Sequence, residues 1–423
     1  MDYQIPFPPF SSFYEDLSDP QNDFVNYFAM IQPHHIHEVM KQAYPGPGPT
    51  GYGTSLFLSR MVKVKQIFVS DRVLAQRLSQ NATYRSVCGF KKGQTPSHST
   101  YTVLRRHLGV EGYKAIHKNF VCECDKLGLL NPPLPNLPKN ARKGLILIGD
   151  STPIRAYCST KGEKQPDGSW LFTDPSVSFG RPHHRDKYPV GHKAHSLITL
   201  AGIPLVSLVT SRNEPDQDHI FPLLKQLKER FPELSYAYLV LDAGYDAEHI
   251  HQGVFEDYGI IPIIVRKKLT YPKGFTKDGI PLCPLGHKMR KAVVDYKRRR
   301  TKYLCKKICK TKEQKTLELC SYLQSDKKNG LIKYVRFKDS YRKFGPAAPN
   351  SIIYKRLKSL RTAVERSYGL VKENRYRMEW TNTYMGIDNV TMHVVEHDIT
   401  LTLDIMFEYK RTGKLSPLLK LKG

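Results

Sequence analysis

Apolar positions recur in two rhythms along this chain, and the change of rhythm divides it. Between residues 55 and 128 they return every three or four residues: Phe57, Met61 and Val64, then a segment running to Leu78 behind Ser70-Asp71, then Val103, Leu104 and Leu108 behind Thr95-Pro96-Ser97, then 113–127. That spacing belongs to helices with one buried stripe, and the Ser-Asp and Pro-Ser pairs are helix starts. Shorter helical pieces are expected at 24–30 and 35–44, in an opening stretch rich in Pro, Phe and Tyr. From Lys143 the rhythm changes. Residues 145–149 (LILIG), 192–201, 205–210, 236–241 and 260–265 are short apolar runs rich in β-branched or aromatic side chains, as buried strands are. Gly202 joins the second and third of these as a hairpin, and helical spacing returns at 221–231 and from near Asp246 to Tyr258. Ile353, Leu357, Leu360, Val364, Tyr368 and Val371 mark an amphipathic helix over 353–375, and a closing segment carries Ile399, Leu401, Leu403 and Ile405. Strands interleaved with helices behind a helical start predict a mixed α/β fold.

Proline and glycine punctuate the chain at 45–49 (PGPGP) and 131–139 (NPPLPNLPK), the clearest boundary. The expected organisation is an N-terminal arm (1–53), a helical domain (54–130), a Pro-rich linker (131–142), an α/β domain in two pieces (143–266 and 351–408), an insertion between them (267–350) and a basic tail (409–423).

Charge sharpens this picture. The chain carries 66 Lys and Arg against 39 Asp and Glu, a net +27 over 423 residues, which points to a polyanionic partner, most simply nucleic acid. Over half of that excess sits in residues 266–315, with 18 Lys and Arg against three acids, including the run Lys297, Arg298, Arg299, Arg300. Tyr271, Phe275, Tyr296 and Tyr303 are interleaved with these cations, as on a surface that follows phosphates and stacks on bases. The same insertion holds Cys283-x3-His287 and Cys305-x3-Cys309, with Cys320 as a substitute. These spacings read either as a tetrahedral zinc site or as reduced cysteines in a basic loop. Eight Cys in 423 residues is no disulfide framework. No apolar run approaches the roughly 20 residues that span a bilayer, so the chain reads as cytoplasmic and associated with the nucleoid.

Two strands end alike. The 145–149 run is followed by Asp150, and the 236–241 run by Asp242 and the turn Ala243-Gly244. Carboxylates at the carboxyl edge of buried strands lie where α/β sheets bind ligands, and two so close require a cation. On an ideal wheel Arg361, Glu365 and Lys372 of the 353–375 helix fall within about 40° of one another, so that an acid flanked by two cations could complete a metal site or hold phosphates.

These residues resemble the DDE triad of insertion-sequence transposases. GDST, LDAGYD and R-x3-E-R-x-Y-G-x2-K look like that superfamily's three signature blocks, although Lys358 stands where the common helix signature has Tyr. Gly191-His192-Lys193-Ala194-His195 resembles a family strand, Asp174-Pro175 a family loop, and the words in 71–90 and 95–109 the family's helical region. The resemblance covers about residues 55 to 397. It implies a ribonuclease-H-like core in which Asp150, Asp242 and Glu365 hold two magnesium or manganese ions for strand cleavage and strand transfer. It further implies His192, Lys193, Arg361 and Lys372 near phosphates, and a helical region, with Arg105 and Arg106, on double-stranded DNA: terminal inverted repeats and target. A homodimer on paired ends is expected. A hydrolytic nuclease of the same fold and a DNA-binding protein without catalysis are the alternatives.

Three further patterns invite over-reading. His393-x2-Glu396-His397 spells a zincin-like motif but lies past the triad in the apolar closing segment, so a helix-packing role is expected. His34, His35 and His37 read as surface residues ahead of a helix. Asp216 and Asp218 read as helix-capping acids, with Asp216 near the site as an alternative.

Overall fold

A computed structural model describes residues 23–44, 52–134, 137–138, 141–180, 189–305, 330–349, 351–369 and 377–415, with nothing said of the side chains of 361–369. Among the described residues, helices come first: α1 (Asp23–Ala29), α2 (His34–Ala43), α3 (Tyr52–Lys65), α4 (Asp71–Gln80), α5 (Ala82–Cys88) and α6 (His98–Lys126). Ser70 caps α4 as its position suggests, accepting from the Val73 amide at 3.2 Å. The two helices expected before and after residue 109 run on as one, bent at Gly109, whose φ of 61° and ψ of 178° leave the helical region and favour glycine. His34, His35 and His37 lie inside α2 rather than ahead of it, and His35 is buried.

The central sheet follows. Its strands are β1 (Leu145–Arg155), β4 (Ser178–Phe179), β5 (Val190–Thr199), β6 (Pro204–Ser211), β7 (Tyr236–Leu241) and β8 (Ile261–Ile264). Between β1 and β4 the expected polar loop contains a two-stranded hairpin, β2 (Glu163–Lys164) with β3 (Trp170–Leu171). Strands β6 and β5 are antiparallel, β5 is antiparallel to β1, and β7 and β8 run parallel to β1 in the lateral order β6-β5-β1-β7-β8. Helix α8 (Glu248–Glu256) makes the crossover between the parallel neighbours β7 and β8, and α7 (Ile220–Arg230) leads from β6 to β7. Beyond β8 a separate antiparallel sheet forms from β9 (Arg290–Asp295), β10 (Arg300–Leu304) and β11 (Ile332–Arg336) in the order β11-β10-β9. Then come α9 (Tyr341–Phe344), α10 (Ile352–Gly369) and α11 (Ile387–Thr412).

The two sheet faces have different partners because successive side chains of a strand alternate. Leu147, Leu239 and Leu241 belong to a large apolar cluster with α7 and the helices α1–α6, while α11 joins that cluster and also packs Val390 and Val394 on Ile154 and Ala194 of the other face. Ile146, Ile148, Tyr238 and Val240 pack instead with Leu357 and Leu360 of α10. A smaller cluster of Cys283, Met289, Tyr303, Val335 and Phe344, edged by Tyr271 and Phe275, fills the region of β9–β11.

Candidate active site

The site grows out of the register between β1 and β7. Ile148 pairs with Val240 in the parallel ladder, and Asp242 continues the strand with extended backbone (φ −79°, ψ 177°). Continuing the register by two places Asp150 beside Asp242, on strands that lie about 4.8 Å apart. Alternation turns both toward the face of Ile148 and Val240, which is the face α10 covers. On the opposite face Gly149 makes room for leucines: a Cβ there would stand 2.4 Å from Leu241 and 3.3 Å from Leu197. Glu365 lies in α10, five residues or about 7.5 Å of rise past Leu360. Its side chain, like that of Arg361, is outside the described residues, as is Lys372 altogether.

Asp150 is oriented within β1, which runs on to Arg155, and Asp242 by the turn that follows β7. The Ser151 amide donates to Asp150 Oδ1 at 2.9 Å. The Gly244 amide donates to Asp242 Oδ1 at 2.7 Å, so that Asp242 caps a single 3-10 turn over Ala243–Tyr245. Burial, then the carboxylates of Asp216, Asp242 and Asp150, push the Tyr245 phenol far above its ordinary range. That effect registers negative charge gathered at one edge. Among the described residues no three metal-binding side chains gather closely enough to hold an ion.

Behind the two acids, on the opposite face, lies a cluster the sequence only hinted at. Asp216 opens the 3-10 turn Asp216–His219, but Pro215 holds the cap position and no side chain caps the turn. The Asp216 carboxylate turns inward: Lys193 Nζ donates to Oδ1 at 2.8 Å and Ser151 Oγ to Oδ2 at 3.2 Å. Lys193 also donates to the Glu214 carbonyl at 2.9 Å, and His195 Nδ1 stands 3.7 Å from Asp216. Burial, opposed by Asp216, lowers the His195 pKa to about 4, so the ring is neutral near pH 7. His192 points the other way on β5, fully buried, with Nε2 2.8 Å from Ser176 Oγ. It is therefore closed to a phosphate.

Other expected contacts are already engaged. Arg105 is buried, with Nη1 donating to Asp71 at 2.7 Å and its guanidinium 4.3 Å from the centre of the Tyr384 ring, whereas Arg106 is exposed. The expectation that Arg105 meets DNA therefore fails, because Asp71 and Tyr384 occupy its charge. Lys297, Arg298 and Arg299 are exposed around the β9–β10 turn, with Arg299 paired to Glu256 and Arg298 3.9 Å from Asp295. Arg300 lies 4.0 Å over the Tyr334 ring. Of the four aromatic residues expected to stack on bases, Tyr303 is buried, while Tyr271 and Phe275 pack beside it in the insertion's own core; Tyr296 is exposed. Cys283 Sγ accepts from the His287 amide at 3.4 Å. With Cys309 and Cys320 outside the described residues, the zinc expectation finds no support.

The zincin-like motif is a buried lock. Glu396 takes a two-pronged bond from Arg60, Nε to Oε1 at 2.7 Å and Nη2 to Oε2 at 2.8 Å, with both side chains shut from solvent. Arg60 also meets Asp71 and donates to the Tyr384 hydroxyl at 2.6 Å, while His393 meets the Met378 carbonyl at 3.2 Å. The last acid of the DAGYD word is structural too. Asp246 is buried and accepts from Arg342 (Nε 2.9 Å, Nη2 2.7 Å), the Lys267 amide (2.8 Å) and His251 (3.0 Å). Burial alone would raise its pKa; those donors outweigh it and hold the carboxyl well below the usual range. Asp174 ties its loop to the start of α11, accepting from Ser176 Oγ at 2.6 Å and the Gly386 amide at 2.8 Å.

Comparison with known proteins bears on the same residues. No curated protein matches the chain significantly. The family model described as a transposase DDE domain matches residues 141–394, a span from just before β1 into α11 that holds both aspartates, the insertion and the helix with Glu365. That match covers more than half of the chain, and the protein therefore belongs to the DDE transposases of the insertion-sequence type.

Proposed function

We propose that this transposase cuts DNA at the ends of a mobile element and joins the freed strands to a target, using Asp150, Asp242 and Glu365 as its catalytic acids. The observation that carries this reading is the register: two acids at matching positions of adjacent parallel strands, both facing the helix with the third. The lateral order β6-β5-β1-β7-β8, with β5 alone reversed, supports a ribonuclease-H-like core interrupted by a basic insertion at 267–350. On this reading α1–α6 and the exposed Lys297, Arg298 and Arg299 are DNA-binding elements.

The donor set suits magnesium or manganese, hard cations that accept carboxylates while retaining water. When bound, such ions supply charge neutralisation at the attacking and leaving oxygens of an in-line phosphoryl transfer. Asp150 and Asp242 would hold such ions from the sheet and Glu365 from the helix; the Ser151 and Gly244 amides keep the two sheet carboxylates aimed. Arg361 and Lys372, which the sequence spacing puts within about 40° of Glu365 on an ideal helical wheel, would hold flanking phosphates.

Cleavage of labelled end DNA in magnesium should be lost in Asp150→Asn, Asp242→Asn and Glu365→Gln by at least about 1,000-fold, on the scale of lost electrostatic catalysis, with DNA affinity little changed. Joined target products distinguish transfer from plain hydrolysis. Cleavage by Asp242→Asn at the wild-type rate would remove the assignment.

A further inference from the structure

Resting on that reading, we infer that the 3-10 turn Asp216–His219 is a positioning clasp that fixes the spacing of Asp150 and Asp242. It grips both acid-bearing segments at once. Through Asp216 it accepts from Ser151 Oγ at 3.2 Å, and the amide of that same Ser151 aims Asp150. Through Gln217, whose side-chain amide donates to the Gly244 carbonyl, it holds the residue whose own amide aims Asp242. Lys193 on β5 anchors the clasp from below, donating to Asp216 at 2.8 Å and to the Glu214 carbonyl at 2.9 Å. His219 steadies the far end, 3.0 Å from Glu214, with its ring 4.6 Å from that of His195. Two like charges on neighbouring strands repel, and a tie between the Asp150–Ser151 stretch of β1 and the turn after β7, beyond their last paired residues, opposes that repulsion. Asp216 and Gln217 supply that tie from the face opposite α10. They act through Ser151 and Gly244, not on substrate.

A positioning role predicts a change in metal affinity that a purely structural role does not. The measurement is Mn2+ binding to the full chain, read by electron paramagnetic resonance of the free ion, beside DNA affinity without metal and the melting temperature. Asp216→Asn, which keeps an acceptor for Ser151 but loses the Lys193 ion pair, and Gln217→Ala should each weaken Mn2+ binding about 10- to 100-fold, the range for groups that orient metal ligands. Asp218→Asn, an exposed neighbour in the same turn, should bind Mn2+ like wild type. DNA affinity should hold in all three, and excess Mn2+ should restore cleavage to Gln217→Ala. Wild-type Mn2+ affinity in both Asp216→Asn and Gln217→Ala overturns the clasp while leaving the catalytic reading intact. Unchanged affinity in Asp242→Asn overturns both. If Asp216→Asn melts early, Gln217→Ala, altered only at a surface contact, decides.

Discussion

Arg60 and Glu396 show what single residues contribute here and why one motif misleads. Both charges are buried; Glu396 is answered by Arg60, and Arg60 by Glu396 and Asp71 together. Glu396→Ala should therefore destabilise the fold by about 3–5 kcal/mol, seen as a lower melting temperature. The double replacement Arg60→Met with Glu396→Leu should recover most of that loss. Written as letters, His393-x2-Glu396-His397 spells metal chemistry; its partner stands 336 residues away, a distance that local spacing cannot see. Asp216 was half-legible for the same reason, since its position before a helix suggests a cap and only the fold brings Lys193 and Ser151 to it. Asp150 and Asp242 were legible because each ends its own apolar run. The buried histidines lead to a pH prediction. Burial lowers the His251 and His35 pKa values to about 4, whereas unfolded histidine titrates near 6.5. Between those values the unfolded chain binds more protons, so stability is full above pH 6.5 and falls as pH drops toward 4. Melting temperature recorded from pH 7 to 4.5 should decline, and His251→Asn should flatten part of the slope.

At the level of elements, the order of the central strands was readable because each is a continuous apolar run between turn residues. β9, β10 and β11 were not, because they are short, half-exposed in β9 and β11, and carry the charges that made the segment read as a loop. Their aromatic residues looked like a stacking surface for bases, yet Tyr303 and its neighbours are the means by which a thin sheet obtains any core at all. Tyr303→Ala should cost about 3–5 kcal/mol locally. Amide exchange should then quicken across 290–336 while β1 and β7 stay protected, since the clusters are separate. Equal loss in both sheets would mean the insertion is not an independent unit. The bend at Gly109 shows the reverse case: two helices were expected from periodicity, and one glycine lets the chain realise both without a loop.

For the whole molecule, net charge was plain from composition, and its consequence is steep salt dependence. If six to ten phosphates are neutralised, DNA affinity should fall about 10³- to 10⁵-fold between 50 and 200 mM salt, and Lys297→Ala, which removes one exposed cation, should reduce the slope by about one unit. Composition was silent on how the chain's distant parts meet. Helices α1–α6 share one apolar cluster with α11, and the Tyr27 hydroxyl reaches the Thr400 carbonyl at 3.2 Å across 373 residues. That shared cluster sets a schedule for the newborn polypeptide. Ribosomes add roughly 5–20 residues per second, so Arg60 waits tens of seconds, exposed, for Glu396 to emerge. Until it does, the scaffold beneath the acids is unfinished. A transposase built this way stays unfinished throughout its own synthesis, and a message broken before α11 yields a chain without its lock.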